Sequence, residues 1–229
     1  MFFVAFKLPY KIKKTFMKKL ILLSLVLISF ISLSFAVLNS GKAGNFQRSS
    51  NDSFYCRAVD FPKQEVSEKE KDELVYMREE EKLAHDFYSL MYDKWGLRPF
   101  GNIKEAETRH MQAVKSILDK YSIKDPVASM DNGSFTSDKI RNLYNNFVKQ
   151  GSISAKDALF AGAEIEEVDI ADLIKGIKET DNDDIKFIYN NMKNASGNHL
   201  RAFVRNLGKY GVDYSPKHLD TETYREFIN

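Results

Sequence analysis

The sequence predicts an all-α fold: a four-helix bundle whose second and third long helices are joined by a long crossover carrying a short extra helix. Three observations predict it. Apolar residues recur at steps of three and four along four long segments, the spacing of one helix face. The connections inside the first and second pairs of segments are short, so each pair is antiparallel, whereas the connection between the pairs can cross the bundle. No stretch of useful length alternates as a half-buried strand does.

Taken in order, the chain opens on residues 1–36, which hold six lysines and no acid. Lys18 and Lys19 precede the apolar run Leu20–Val37, and Ser34-Phe35-Ala36 resembles a small-x-small cleavage site. This reads as a secretory signal peptide cut after Ala36, with an uncleaved anchor as the competing reading because the run approaches spanning length. Met17 begins a compact signal by itself, so residues 1–16 read as an upstream extension. Residues 37–66 are rich in Ser, Asn, Gly and charge and read as a flexible linker. Cys56 is the single cysteine, which excludes an intramolecular disulfide and any four-cysteine metal site.

The bundle is expected over 67–210. Ser67 with Glu70 three residues on is a capping box for the first helix, which Trp95-Gly96 and Pro99 end. Asn102 is expected to cap the second helix, which runs to about Tyr121 before Asp125-Pro126. The crossover, 122–153, holds the short helix Ser137–Lys149. The third long helix is capped by Ser154 or Asp157 and runs to about Lys178, and the fourth spans roughly Asp184–Leu207 before Gly208 and Gly211. A tail, 211–229, carries a last short helix near Thr221–Phe227.

Five polar residues that interrupt the four apolar stripes carry the chemistry. In the first helix Glu81 fills the gap in Leu74, Met77, Ala84, Tyr88, Met91. In the second, Glu107 and His110 fill the gap in Ile103, Val114, Ile117, Tyr121, and residues three apart share a helix face. The third and fourth helices repeat the first and second. Aligning Glu80–Tyr88 with Glu166–Ile174 puts Glu81 on Glu167, inside the stripe Phe160, Ala163, Ile170, Ile174, Ile177. Aligning Ala106–Val114 with Ala195–Phe203 puts His110 on His199 and Glu107 on Ser196. Lone buried charges are costly, so such groups are paired or bind metal. Two helices giving one Glu each and two giving Glu-x-x-His make the dinuclear carboxylate site of four-helix bundles. Mixed carboxylate and imidazole ligands suit iron or manganese, with one or two ions expected. A buried salt-bridge cluster without metal is the competing reading. His85 and the run Glu79-Glu80 read as solvent-facing, and Tyr88 as core with its hydroxyl bonded near the site.

At these residues the chain resembles the ferritin-like superfamily. EKLAHDFY (Glu81–Tyr88) has the Glu-x-x-Ala-x-x-x-Tyr look of rubrerythrins. MREEEKLAHDFY, NIKEAETRHMQAV, Asp125-Pro126, GAEIEEVDIADL and SGNHLRAF resemble the bacterial and archaeal ferritin-like family called domain of unknown function 2202, over roughly Leu74–Tyr210. The resemblance implies a metal site at Glu81, Glu107, His110, Glu167 and His199. It departs from rubrerythrin in having no cysteine-ligated electron-transfer module and in placing Ser196 where a fourth glutamate stands. Glu164, one turn before Glu167, could supply that carboxylate or lie on the surface flanking the stripe. The metal position nearer His110 is expected to fill first.

The expected protein is therefore exported and holds metal in its core. Its chemistry, if it is an enzyme, is that of a di-metal oxidoreductase oxidising ferrous iron or reducing oxygen or peroxide. A non-catalytic metal holder and a bundle for protein interaction are the alternatives. Without residues 1–36 the chain has 28 basic and 32 acidic residues, which offers no footprint for nucleic acid. No membrane association is expected after signal cleavage, and a homodimer stays open as an assembly.

Overall fold

The helix starts are set by local chemistry. In the computed structural model, which describes residues 57–128 and 130–228, Ser67 forms the complete capping box: its hydroxyl accepts from the Glu70 amide at 3.2 Å, and its own amide donates to Glu70 Oε2 at 2.9 Å. Helix α1 follows, Glu68–Trp95, and Gly96 ends it at φ 65°, a conformation cheap only for glycine. Helix α2, Arg98–Tyr121, begins four residues before the expected Asn102 cap. Pro99 does not break the chain here. It sits in the first turn, where a missing amide costs no hydrogen bond.

The crossover carries α3, Asp138–Gly151, capped by Ser137. Helix α4, Ala155–Glu179, is capped by Ser154, whose hydroxyl accepts from the Asp157 amide at 3.1 Å. Helix α5 spans Asp183–Gly208 and α6 spans Thr221–Ile228. A short 3-10 turn, Arg57–Asp60, precedes α1, and no strand occurs among the described residues. The sequence places the four long helices and α3 to within a few residues. The expected signal peptide, Cys56 and most of the linker lie outside the described residues.

Helices α1 and α2 pack as one pair and α4 and α5 as the other. The pairs meet antiparallel across the bundle. Glu70 at the start of α1 accepts from Asn182 just beyond α4 at 2.9 Å, while Tyr88 further along reaches back to Glu166 at 2.6 Å. Likewise Lys120 near the end of α2 bonds Asp184 at the start of α5 at 2.6 Å. The crossover lies along α1: Arg78 grips Asp125 with two hydrogen bonds at 3.2 and 3.1 Å, and Lys82 donates to Asp131 O at 2.9 Å.

Two apolar clusters fill the bundle. One gathers Phe87, Tyr88, Phe100, Leu159, Leu200 and Phe203, and the other gathers Leu74, Met77, Ile117, Leu173, Ile188 and Met192. Between them, in sequence position on all four long helices, lies a band of buried polar residues: Glu80, Glu81, Glu107, His110, Glu166, Asp169 and Ser196.

Candidate metal centre

The centre is built around Glu107, which projects from α2 and offers one oxygen to each of two histidines. His110, one turn on, has Nδ1 2.9 Å from Glu107 Oε2. His199, from α5, has Nδ1 3.0 Å from Glu107 Oε1. Glu81 on α1 completes the first triad, its Oε2 3.2 Å from His110 Nδ1. Glu166 on α4 completes the second, its Oε2 3.4 Å from His199 Nδ1. The ligand atoms of each triad lie within 4.8 Å of one another, and the two imidazole rings stack with centroids 5.7 Å apart. One carboxylate shared by two triads is the arrangement of a bridging ligand.

The electrostatics follow from burial. Removal from water raises the Glu81 carboxyl to about 7, with Glu107 adding to the rise and His110 opposing it. Burial likewise raises Glu166 to about 7 against the pull of His199. Glu107 differs: burial works against its charge, yet the imidazoles on both sides hold it well below the usual carboxylate range. Burial would lower His199, but Glu166 and Glu107 raise it to about 10, and His110 is raised in the same way by Glu107 and Glu81.

The donor set fits a cation. Glu80, Glu81, Glu107, Glu166 and Asp169 are five buried carboxyl groups beside two imidazoles, and burial and mutual repulsion raise all of them but Glu107, so their charged forms lack a counter-charge that a cation would supply. Glu81 Oε1, Asp169 Oδ1 and both Glu80 oxygens accept no hydrogen bond. Glu107 Oε1 and His199 Nδ1, although 3.0 Å apart, are not aligned as donor and acceptor. Two ligand atoms brought close without a hydrogen bond between them suit ligation of one ion.

The structure therefore brings together Glu81, Glu107, His110 and His199, and does not bring Glu167 or Glu164. Glu167, expected at the centre, points to the C-terminal tail. Its carboxylate accepts from the Tyr214 hydroxyl and from the amides of Lys217, His218 and Leu219 at 2.8–3.2 Å. Glu164 accepts from the Lys217 ammonium and from Gln150 Nε2 at 3.2 Å. Sequence reasoning missed Glu166, one position away, and Asp169, one turn further on. The face of α4 that meets the bundle runs Leu159, Gly162, Glu166, Asp169, Leu173, Gly176, buried throughout. Its signal was hidden by the two glycines. A Cβ on Gly162 would meet the Phe203 ring at 2.7 Å, and one on Gly176 the Tyr189 ring at 2.7 Å, so rings from α5 fill the space over the two glycines.

Two further expectations change. Glu79 and Glu80 are not on a wet face: they are 1% and 3% exposed, because the crossover and α4 cover that side of α1. Ser196 donates to Met192 O at 2.9 Å, and the carboxylate beside it is Asp169, from α4. His85 is partly exposed, 3.0 Å from Asp86, and Tyr88 is buried with its hydroxyl on Glu166 as expected.

The fold and this cluster define a helical-bundle protein with buried carboxylate and imidazole groups able to hold metal. The chain belongs to the family of the uncharacterized protein domain DUF2202, whose model matches residues 70–229. It is 52% identical over 168 residues to uncharacterized protein MJ0754 of Methanocaldococcus jannaschii, covering 73% of this chain and 91% of that protein. The crystal structure of hypothetical protein MJ0754 from Methanococcus jannaschii superposes with a TM-score of 0.72 at 52% identity, covering 73% of this chain and 96% of that one.

Proposed function

We propose that this protein is a ferritin-like metal-binding bundle that holds a pair of transition-metal ions, iron or manganese, bridged by Glu107. The observation that carries the reading is the position of Glu107, buried, with one oxygen on His110 and the other on His199. Glu81 and His110 would hold one ion, Glu166 and His199 the other. Asp169 provides the additional carboxylate that Ser196 does not. A bound pair would supply oxidation of ferrous iron, or electrons for oxygen or peroxide.

The protein's own groups prepare such a site. Tyr88 fixes Glu166 by a 2.6 Å hydrogen bond to Oε1, leaving Oε2 for His199. The buried rings of Tyr88, Phe100 and Phe203 pack on one another next to Glu166, to which the Tyr88 hydroxyl donates. His110 is 1% exposed and His199 is 12% exposed, so the position at His199 is the one open to small molecules from outside.

Elemental analysis of protein purified without chelators, then loaded anaerobically with ferrous iron or Mn2+, should give between about one and two ions per chain, the capacity of the bundle ligand set. No bound metal under either condition overturns the reading in favour of a salt-bridged core. Oxygen-dependent oxidation of ferrous iron above the protein-free rate, lost in His110→Ala, makes it an enzyme; tight binding without oxidation makes it a holder. Export is part of the same proposal, supported by Lys18-Lys19, the apolar run and Ala36. The mature N-terminus in the native host should fall near Val37, and a chain retaining Leu20–Phe35 would instead be anchored.

A further inference from the structure

A cavity of about 380 Å³ opens between the first half of α1 and the end of α4. Its wall includes Asp72, Glu73, Tyr76 and Asp172, with Lys69, Lys139 and Lys175 at the side. The charges are unevenly held. Lys69 pairs with Glu179 at 3.1 Å, and Lys175 lies 3.6 Å from both Glu73 and Glu179, so these two lysines are tied to acids at the rim. Lys139 Nζ sits 4.4 Å over the Tyr76 ring. Glu80 and Asp169, one helical turn beyond the lining residues Tyr76 and Asp172 along α1 and α4, have no such partners. Both Glu80 oxygens and Asp169 Oδ1 are buried and accept no hydrogen bond. Asp172, Asp169 and Glu81 are the charges that bear most on Glu80, opposed by Lys139, and burial, then Glu80 and Asp172, raise the Tyr76 hydroxyl.

Helix geometry lines these groups up. Asp72, Tyr76 and Glu80 follow at steps of four on α1, and Asp172, Asp169 and Glu166 at steps of three on α4. The two helices run antiparallel, so both rows lead from the cavity to the centre. At 1.5 Å per residue, Asp172 to Glu166 spans about 9 Å along α4, which one intermediate carboxylate can bridge. Two unpaired oxygens on a side chain that is 3% exposed are an expensive arrangement for a structural residue.

We propose that this cavity is the entrance for divalent cations, and that Asp172 and then Glu80 pass each ion to the centre at Glu81 and Asp169. The inference rests on the paired-metal reading above and adds the path by which the site fills. The exposed Lys139 is the counter-charge an entering ion must displace.

The test separates rate from capacity. Metal-free protein is mixed with Co2+ in a stopped-flow instrument and its visible absorption followed. Electrostatic guidance raises association rates by about 10- to 1000-fold, so Asp172→Asn should slow filling about tenfold and Glu80→Gln by at least as much. Lys139→Gln should speed filling about threefold on the same basis. The final absorption of Asp172→Asn and Lys139→Gln should equal that of the unmodified protein. Opposite signs for the aspartate and lysine variants cannot come from a general loosening of the fold. If the unmodified protein fills and all three variants fill at its rate, the entrance lies elsewhere while the paired site stands. If the unmodified protein takes up no Co2+, Mn2+ or ferrous iron, the paired site and the entrance are both overturned.

Discussion

Glu79 and Glu80 are neighbours on α1 and almost equally buried, yet their surroundings are opposite. Glu79 accepts from the amide and hydroxyl of Thr136 and from the amide of Ser137, and so fastens the start of α3. Glu80 accepts nothing. The same contrast recurs on α4, where Glu167 gathers the tail amides and Glu166 faces a histidine. The molecule thus has two kinds of buried acid. Latch acids are satisfied by amides and hydroxyls of a loop or tail and give the fold its closure. Centre acids keep an oxygen with no hydrogen-bond donor, as Glu80, Glu81, Glu107 and Asp169 do, or face a histidine across the site, as Glu166 does. Burial alone does not tell them apart, but hydrogen-bond satisfaction does.

The strongest way to break this division is at Glu107. If it is the shared ligand, Glu107→Ala should lower metal affinity at both positions, by at least about 100-fold, more than loss of an outer-shell partner typically costs. Isothermal titration with Mn2+ measures it. His110→Ala should remove one position and leave a weaker one at His199. Retention of two equivalent ions by Glu107→Ala would show that the carboxylate is not a bridge.

Glu167→Ala tests the other side. It leaves three backbone amides and the Tyr214 hydroxyl without their acceptor, and unsatisfied buried donors cost about 1–3 kcal/mol each where water cannot reach them. Because part of the tail can move into solvent, a loss of about 3 kcal/mol in urea unfolding is expected, with metal affinity unchanged. Equal losses in stability and metal affinity would mean that tail and centre act as one unit.

Glu80→Gln should do the reverse. Burial and the neighbouring Asp172, Asp169 and Glu81 all oppose a charge on Glu80, so an uncharged amide there should let the metal-free protein gain about 1 kcal/mol in urea unfolding, the equivalent of one pKa unit. A loss of that size would mean that Glu80 has a structural partner and belongs with the latches.

The long helices were legible because apolar period and capping are local properties: Ser67 with Glu70, Ser137 and Ser154 each mark a start. The first half of the centre was legible for a related reason, since Glu81, Glu107 and His110 interrupt stripes made of large residues. In the second half His199 was legible from the repeat of the second long helix in the fourth, whereas Glu166 was not, because two positions of its face on α4 are Gly162 and Gly176, which hydropathy does not register. Glu167 was misplaced for a further reason. What satisfies it is a segment about 50 residues downstream, Tyr214–Leu219, and no local pattern announces that contact. Glu79 was misread in the same way, its donors lying 57 and 58 residues on. Chemistry carried by one helix face is visible in sequence, whereas a partner delivered by a loop is not.

The smallest effect expected concerns pH, at a latch far from the centre. Burial alone would raise the Glu70 carboxyl, but donors from Thr180, Asn182 and Ser67 lower it from 4.5 to about 2. A carboxyl depressed by folding contributes stability that is fully present above its unfolded value and is lost as protons bind the folded form. The window for Glu70 is therefore pH 4.5 down to about 2, with full stabilisation above it. Glu70 ties the start of α1 to the α4–α5 turn, so its protonation should loosen that end of the bundle first. Glu70→Gln should flatten the acid limb of a stability-versus-pH curve between those values, and at neutral pH should cost about 1 kcal/mol, as loss of a helix cap does. Amide exchange in Thr180–Asp184 should quicken in the variant while exchange near Glu107 does not. An acid limb of unchanged slope in Glu70→Gln would show that other carboxylates set the acid stability and that Glu70 serves only as the cap of α1.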